Sequence, residues 1–381
     1  MFQGDVTKPP LARDAFERAD EAGFLTQAAY LLVLGSQLRG DGPGRAKLDE
    51  IIPEEDFSSL GVPPISPATG RIDSQRIRLS LVTRFGTSVT PAIPAGEDAT
   101  WRSDIFAELA RDHFREPTAA TAGSLMEACL RHPHELVRVA AAAGYHDRSS
   151  EPDKLTAILE LGTRSVDLLI RQLAATALAQ VTPDNARLRD LQRSSGRVAG
   201  AAGAGTHTAM IVHGTWALGA TWWQPGGDFH SYVLHEFRPD LYNGDKRFAW
   251  SGGYSDAARA LGADDLLTWV NRYNEQGLDL FTHSHGGSLA MRASNKGLQI
   301  GELVLLSCPV HIPKYHPDFN QVKKVVSIRV RLDLVILADR GGQRFKHPKI
   351  EENVLPIWFD HGATHKPEVW KNNTYKIPAM L

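Results

Sequence analysis

Apolar residues recur along this chain with two different periods. Up to about residue 195 they fall at the three- and four-residue spacing of an amphipathic helix. Phe24 to Leu34 is almost uniformly apolar and reads as a helix ended by Gly35. Three longer periodic segments, Thr100–Phe114, Ala122–Gly144 and Asp153–Ala179, read as further helices. Between them, residues 40 to 96 are rich in Gly, Pro, Ser and Asp and read as a long irregular excursion. After about residue 205 the pattern changes to short β-branched runs separated by helical stretches. Strands are expected at Thr208–Val212, Arg247–Trp250, Leu278–Thr282, Glu302–Leu306, Val325–Val330 and Val354–Phe359. Helices are expected at Ser255–Glu275, Gly287–Gly297 and from Pro367 onward. Runs apolar on both faces imply a mainly parallel sheet covered by helices. The change of period falls at Gly196–Gly205, a small-residue stretch with no packing face. The expected organisation is a helical domain over 1–195, a linker over 196–205 and an α/β domain over 206–381.

Composition narrows the possible partners. The chain has 381 residues, 42% hydrophobic and 23% charged, with a formal net charge of −2. Two cores are the default at this length. Near-neutral charge argues against a nucleic-acid partner. Two cysteines, Cys129 and Cys308, are too few for a disulfide framework and suit small core positions. No apolar run approaches the length of a membrane span. The polar, proline-broken first 20 residues lack the core of a signal peptide. The resulting expectation is a cytoplasmic protein of undetermined oligomeric state, without cofactor or bound metal.

The segment with the strongest chemical content is Leu278–Ala290, LDLFTHSHGGSLA. An apolar strand, a turn carrying Ser284 and two glycines opening a helix form the layout that lifts a serine hydroxyl clear of a sheet. The pattern small-x-Ser-x-small is met with Thr282 where glycine is usual. Three other segments share the C-terminal half with it. An apolar strand ends in His213-Gly214-Thr215-Trp216. A strand runs into Arg331-Leu332-Asp333-Leu334-Val335. The last strand is followed by Asp360-His361-Gly362-Ala363-Thr364-His365-Lys366-Pro367.

In this order the four segments resemble the serine hydrolases of the α/β-hydrolase superfamily, the esterase and lipase group. The resemblance covers the last 180 or so residues and not the helical half. It implies hydrolysis of a small ester or lipid through an acyl-enzyme. Ser284 would be the nucleophile, His361 the general base and Asp333 the acid that fixes the imidazole tautomer. His365 is the alternative base. Asp339 is the alternative acid, beside Arg340-Gly341-Gly342 and better suited to a solvated turn. The backbone N–H groups of Thr215 and His285 would form the oxyanion hole. Trp216, Trp222 and Trp223 would wall the substrate, with Phe248 and Trp250 close by; a packed core is the plainer reading for this group.

Two rival readings exist. Thr282-His283-x-His285 matches the opening of a zinc-hydrolase signature, but Gly287 and Ser288 stand where an acid and a further histidine would be needed. In the helical half, His132–Gly144 and Ser165–Gln180 are weakly alike and resemble a HEAT-type repeat. That admits a catalytically inactive interaction protein.

Overall fold

A computed structural model of the chain describes residues 5–6, 8–39, 54–65, 98–193, 209–243, 247–273 and 277–381. The expected linker over 196–205 and most of the stretch over 40–96 lie outside the described residues. Within 40–96 the described part carries a helix at Glu54–Leu60. The fold is mixed α/β and divides into two compact units. One comprises 1–183, 332–343 and 357–360; the other comprises 184–331, 344–356 and 361–381. No helix among the described residues is long and apolar enough to cross a membrane.

The first unit is helical. Glu21–Arg39 is buried along most of its length, as an all-round apolar helix must be. Gly35 does not end it. A Cβ on Gly35 would stand 2.4 Å from both Cα and O of Gly144, so the glycine is a helix-crossing contact rather than a stop. Both long helices expected from periodicity are split. Ala122–Gly144 resolves into Ala119–Cys129 and Glu135–Tyr145, because Pro133 has no N–H and disfavours a helical residue before it. Asp153–Ala179 resolves into Pro152–Gly162 and Leu168–Val181, because the Asp167 carboxylate accepts from the N–H groups of Leu169 and Ile170 and caps a new start.

The splits expose an internal repeat. The hairpin 119–145 recurs at 152–181 with an offset of 33 residues in both helix starts (119 to 152, 135 to 168). Its corner is built twice in the same way. Arg138 Nη1 donates to the carbonyls of His132 and Pro133, both at 2.7 Å. Arg171 Nη1 donates to those of Ser165 and Val166, at 2.7 and 3.1 Å. The N–H of His134 bonds His132 Nδ1, as that of Asp167 bonds Ser165 Oγ. The short helix Leu334–Ala338, buried at all five positions, also belongs to this unit and packs on Leu168–Val181 and Glu21–Arg39.

The second unit carries the sheet. Its strands are β2 (Ala209–Val212), β3 (Leu278–His283), β4 (Ile300–Leu306), β5 (Val322–Arg331) and β6 (Glu351–Phe359), parallel and in the order β6-β5-β4-β3-β2. The end of β6, grouped with the first unit, pairs antiparallel with β1 (Asp5–Val6). The strands β2, β3 and β4 are buried along almost their whole length, as their apolar runs require, while β5 and β6 carry exposed residues near their starts. No strand forms at Arg247–Trp250. The parallel bridge to β2 lies earlier, at Leu241. Phe248 and Trp250 are buried in the alternating manner expected, but Trp250 is held by its side chain, whose Nε1–H donates to His213 O at 2.8 Å. Helices Asp228–Glu236, Asp256–Tyr273 and His285–Ser294 connect the strands.

Candidate functional site

β3 lies between β2 and β4, and its carboxyl end turns sharply at Ser284. That residue has φ +52° and ψ −131°, a region that non-glycine residues rarely enter and that costs about 1–3 kcal/mol. The conformation is held from both sides. Ser284 N–H donates to Leu306 O at 2.9 Å, carrying the β3–β4 ladder one residue further, and Gly287 N–H donates to Ser284 O at 3.0 Å. The serine hydroxyl makes no cap bond to the helix that follows.

Three glycines permit the turn. A Cβ on Gly286 would stand 2.7 Å from the carbonyl oxygens of Val212 and His213. One on Gly287 would meet Cys308 Sγ at 2.6 Å. One on Gly214 would meet Ser284 Cβ at 2.8 Å. Thr282, in the place of a fourth small residue, is accommodated because its hydroxyl donates to Val304 O at 2.9 Å.

Gly214 thus brings the loop after β2 against the serine. His213 is fully buried and donates from Nδ1 to Gly214 O at 2.8 Å. Burial pushes its pKa down to about 4, which keeps the ring neutral. Trp216 has φ +54°; its N–H donates to Gly252 O, and its ring stacks on Tyr254. Among the described residues, Thr215 Oγ1 and Trp216 Nε1 are sealed from solvent and find no hydrogen-bond partner. Trp223 is fully buried beneath this loop, donating to Ala217 O and packing on His213. Trp222 is half-buried and stacks on His365 at 4.2 Å. His285 opens the helix after Ser284, where N–H groups have no partner in the preceding turn. Its ring meets Tyr254 and His311.

The histidine loop reaches the same place from β6. His283, next in sequence to Ser284, donates from Nε2 to the main-chain oxygen of His361 at 3.2 Å. The ring of His283 stands 4.7 Å from those of both His361 and His365. Thr364 Oγ1 donates to Ser307 Oγ at 3.1 Å, and Trp370 Nε1 donates to Thr364 O at 2.8 Å. Burial, followed by the neighbouring His361 and Lys366, pushes the His365 pKa down to about 3. Burial first, then His365 and His361, holds His283 well below the ordinary imidazole range. His283 and His285 face different neighbours. Among the described residues no group of three or more His, Cys, Asp or Glu side chains is arranged to hold a metal ion.

Asp333 lies in the helical unit. It follows Leu332, which has φ +47°, and caps Leu334–Ala338 by accepting on Oδ1 from Val335 N–H at 3.0 Å and Ile336 N–H at 3.2 Å. Its own N–H donates to Gln343 Oε1 at 3.0 Å. Asp339, expected in a solvated turn, is buried at the other end of that helix, where its carbonyl accepts from Gln180.

Taken together, β3, β4, β5 and β6 each end at, or one residue before, a non-glycine residue of positive φ (Ser284, Ser307, Leu332 and Phe359), and Trp216 lies on the loop after β2. Strain collects at the strand ends where open α/β sheets carry their sites. Ser307 and Thr364 were not anticipated from sequence; a lone serine closing the apolar run of β4 was the one signal. Comparison with models of known protein families and with curated proteins returns no match.

Proposed function

We propose that the chain hydrolyses carboxylic esters, including lipid esters, through an acyl-enzyme on Ser284. One observation carries this reading: Ser284 occupies a strained turn between a central parallel strand and a helix, with a hydroxyl that does not cap the helix. A turn kept at that cost, with glycines cleared around it, is what presenting a nucleophile requires.

In the proposed reaction Ser284 Oγ attacks the ester carbonyl while His361 takes its proton. The Thr215 and His285 N–H groups receive the developing oxyanion. The alcohol leaves with the proton from His361, and water, deprotonated by the same imidazole, releases the acid. His361 is preferred to His365 because it follows β6 directly and stands further ahead of Pro367, which opens the next helix. Asp333 is assigned as the acid from the order of segments along the chain. Trp216 and Trp222 are read as substrate contacts and Trp223 as support beneath the loop. No cofactor enters these steps. The helical half is read as a HEAT-like pair of hairpins, supported by its 33-residue offset and matching corners.

A fluorophosphonate probe should label Ser284, and labelling should vanish in Ser284→Ala together with p-nitrophenyl ester turnover. Full turnover by Ser284→Ala would end the proposal.

A further inference from the structure

The histidine beside the nucleophile is absorbed by none of the roles above. Its imidazole is buried, and among the described residues its hydrogen bond runs to a main-chain atom 78 positions away in the sequence, on the loop that carries the proposed base. A carbonyl oxygen only accepts, so Nε2 must carry the proton. The ring is boxed in by the edge of Trp222 and by the rings of His361 and His365. On its other side a Cβ on Gly214 would come within 3.3 Å of Nδ1. The far end of the same loop is tied independently, through Thr364 to Ser307 at the exit of β4.

We infer that His283 is a positioning residue: through its Nε2–H bond to the His361 carbonyl, it sets the base-bearing loop against the serine that follows it in the chain. The inference rests on the hydrolase reading above. One strand end then carries both the nucleophile and the clamp on its base, so the two cannot drift apart without breaking this bond or the β3–β4 ladder. A general base must lie within hydrogen-bond reach of the hydroxyl it deprotonates. Displacement by about 1 Å is enough to lose on the order of 10²-fold in rate.

The test uses the full chain with His283→Gln, whose side-chain amide offers a donor at similar reach, and His283→Leu, which fills the space and offers none. The rate of Ser284 labelling by the fluorophosphonate, and kcat for a p-nitrophenyl ester, should fall about 10–100-fold in the Leu variant with KM little changed. The Gln variant should recover most of the loss. Labelling of the Leu variant at the unaltered rate overturns the inference, and so does a Gln variant as slow as Leu although its melting curve is normal. A second readout needs no activity. In protein with ¹³C,¹⁵N-labelled histidine, residue 283 should hold its proton on Nε2, with a coupling across the hydrogen bond to the His361 carbonyl carbon. A proton on Nδ1 instead overturns the inference even if neither variant folds. If the unaltered protein is not labelled at Ser284, the hydrolase reading falls, and the NMR measurement alone decides whether His283 holds the loop.

Discussion

At the scale of single residues, the pair of histidines after β6 differs in position and in contacts. The sequence offers two imidazoles four residues apart on one loop, and the offset favours His361, which follows the last strand directly and stands further ahead of Pro367. In the structure His365 is stacked on Trp222, with its Nδ1 sealed and, among the described residues, unpartnered, whereas the main-chain oxygen of His361 accepts from His283. His361→Ala should therefore reduce ester turnover by at least about 10²-fold, within the range that general-base catalysis contributes. His365→Ala should retain a measurable fraction. The opposite order in steady-state kcat would move the base to residue 365. Ser284 and the 213–216 loop were legible in the sequence because each combines an apolar strand with a glycine at a fixed offset. The contact from His283 to His361 was not legible, since it joins a side chain to a main-chain atom, and nothing in residue type announces such a bond.

At the scale of elements, the strands were more legible than the helices. A run buried on both faces shows up as a largely unbroken apolar stretch, and all five parallel strands begin and end within three residues of the runs that predict them. The long periodic segments concealed their breaks, because apolar spacing continues in phase through Pro133 and Asp167. Leu334–Ala338 concealed its helix for the opposite reason: five consecutive apolar residues carry no period at all. Gly35 was legible as a glycine but not as to its use. A methyl group there would fall on the backbone of Gly144, so relief requires moving one helix against the other. Gly35→Ala should cost about 1–3 kcal/mol or more, as overpacking does, although alanine is the better helix former. A urea midpoint equal to that of the unaltered chain would contradict the crossing.

For the whole molecule, the buried imidazoles decide how stability responds to pH. Burial pushes His113, His134 and His213 down to about 4 and His132 and His365 to about 3, and holds His283 well below the ordinary imidazole range. In an unfolded chain each would titrate near 6.5. Below that pH the unfolded state binds more protons than the folded one, so stability falls as pH drops from 6.5 toward 4. Above 6.5 these groups are neutral in both states and contribute no slope. Thermal midpoints should thus decline between pH 6.5 and 4.5, with net proton uptake on unfolding. A midpoint that rises over this interval would contradict the burial of these rings.

The grouping of residues 332–343 and 357–360 with 1–183 bears on how the chain can be cut. A fragment starting near residue 206 would look like a self-sufficient catalytic half in the linear text. It would still carry Leu334, Val335, Ile336, Leu337 and Ala338, stripped of the two helices that cover them. Such a remnant would present a greasy face to water and clump. A cut near residue 206 therefore severs a five-residue apolar helix from its own core, although it leaves the linear motifs intact.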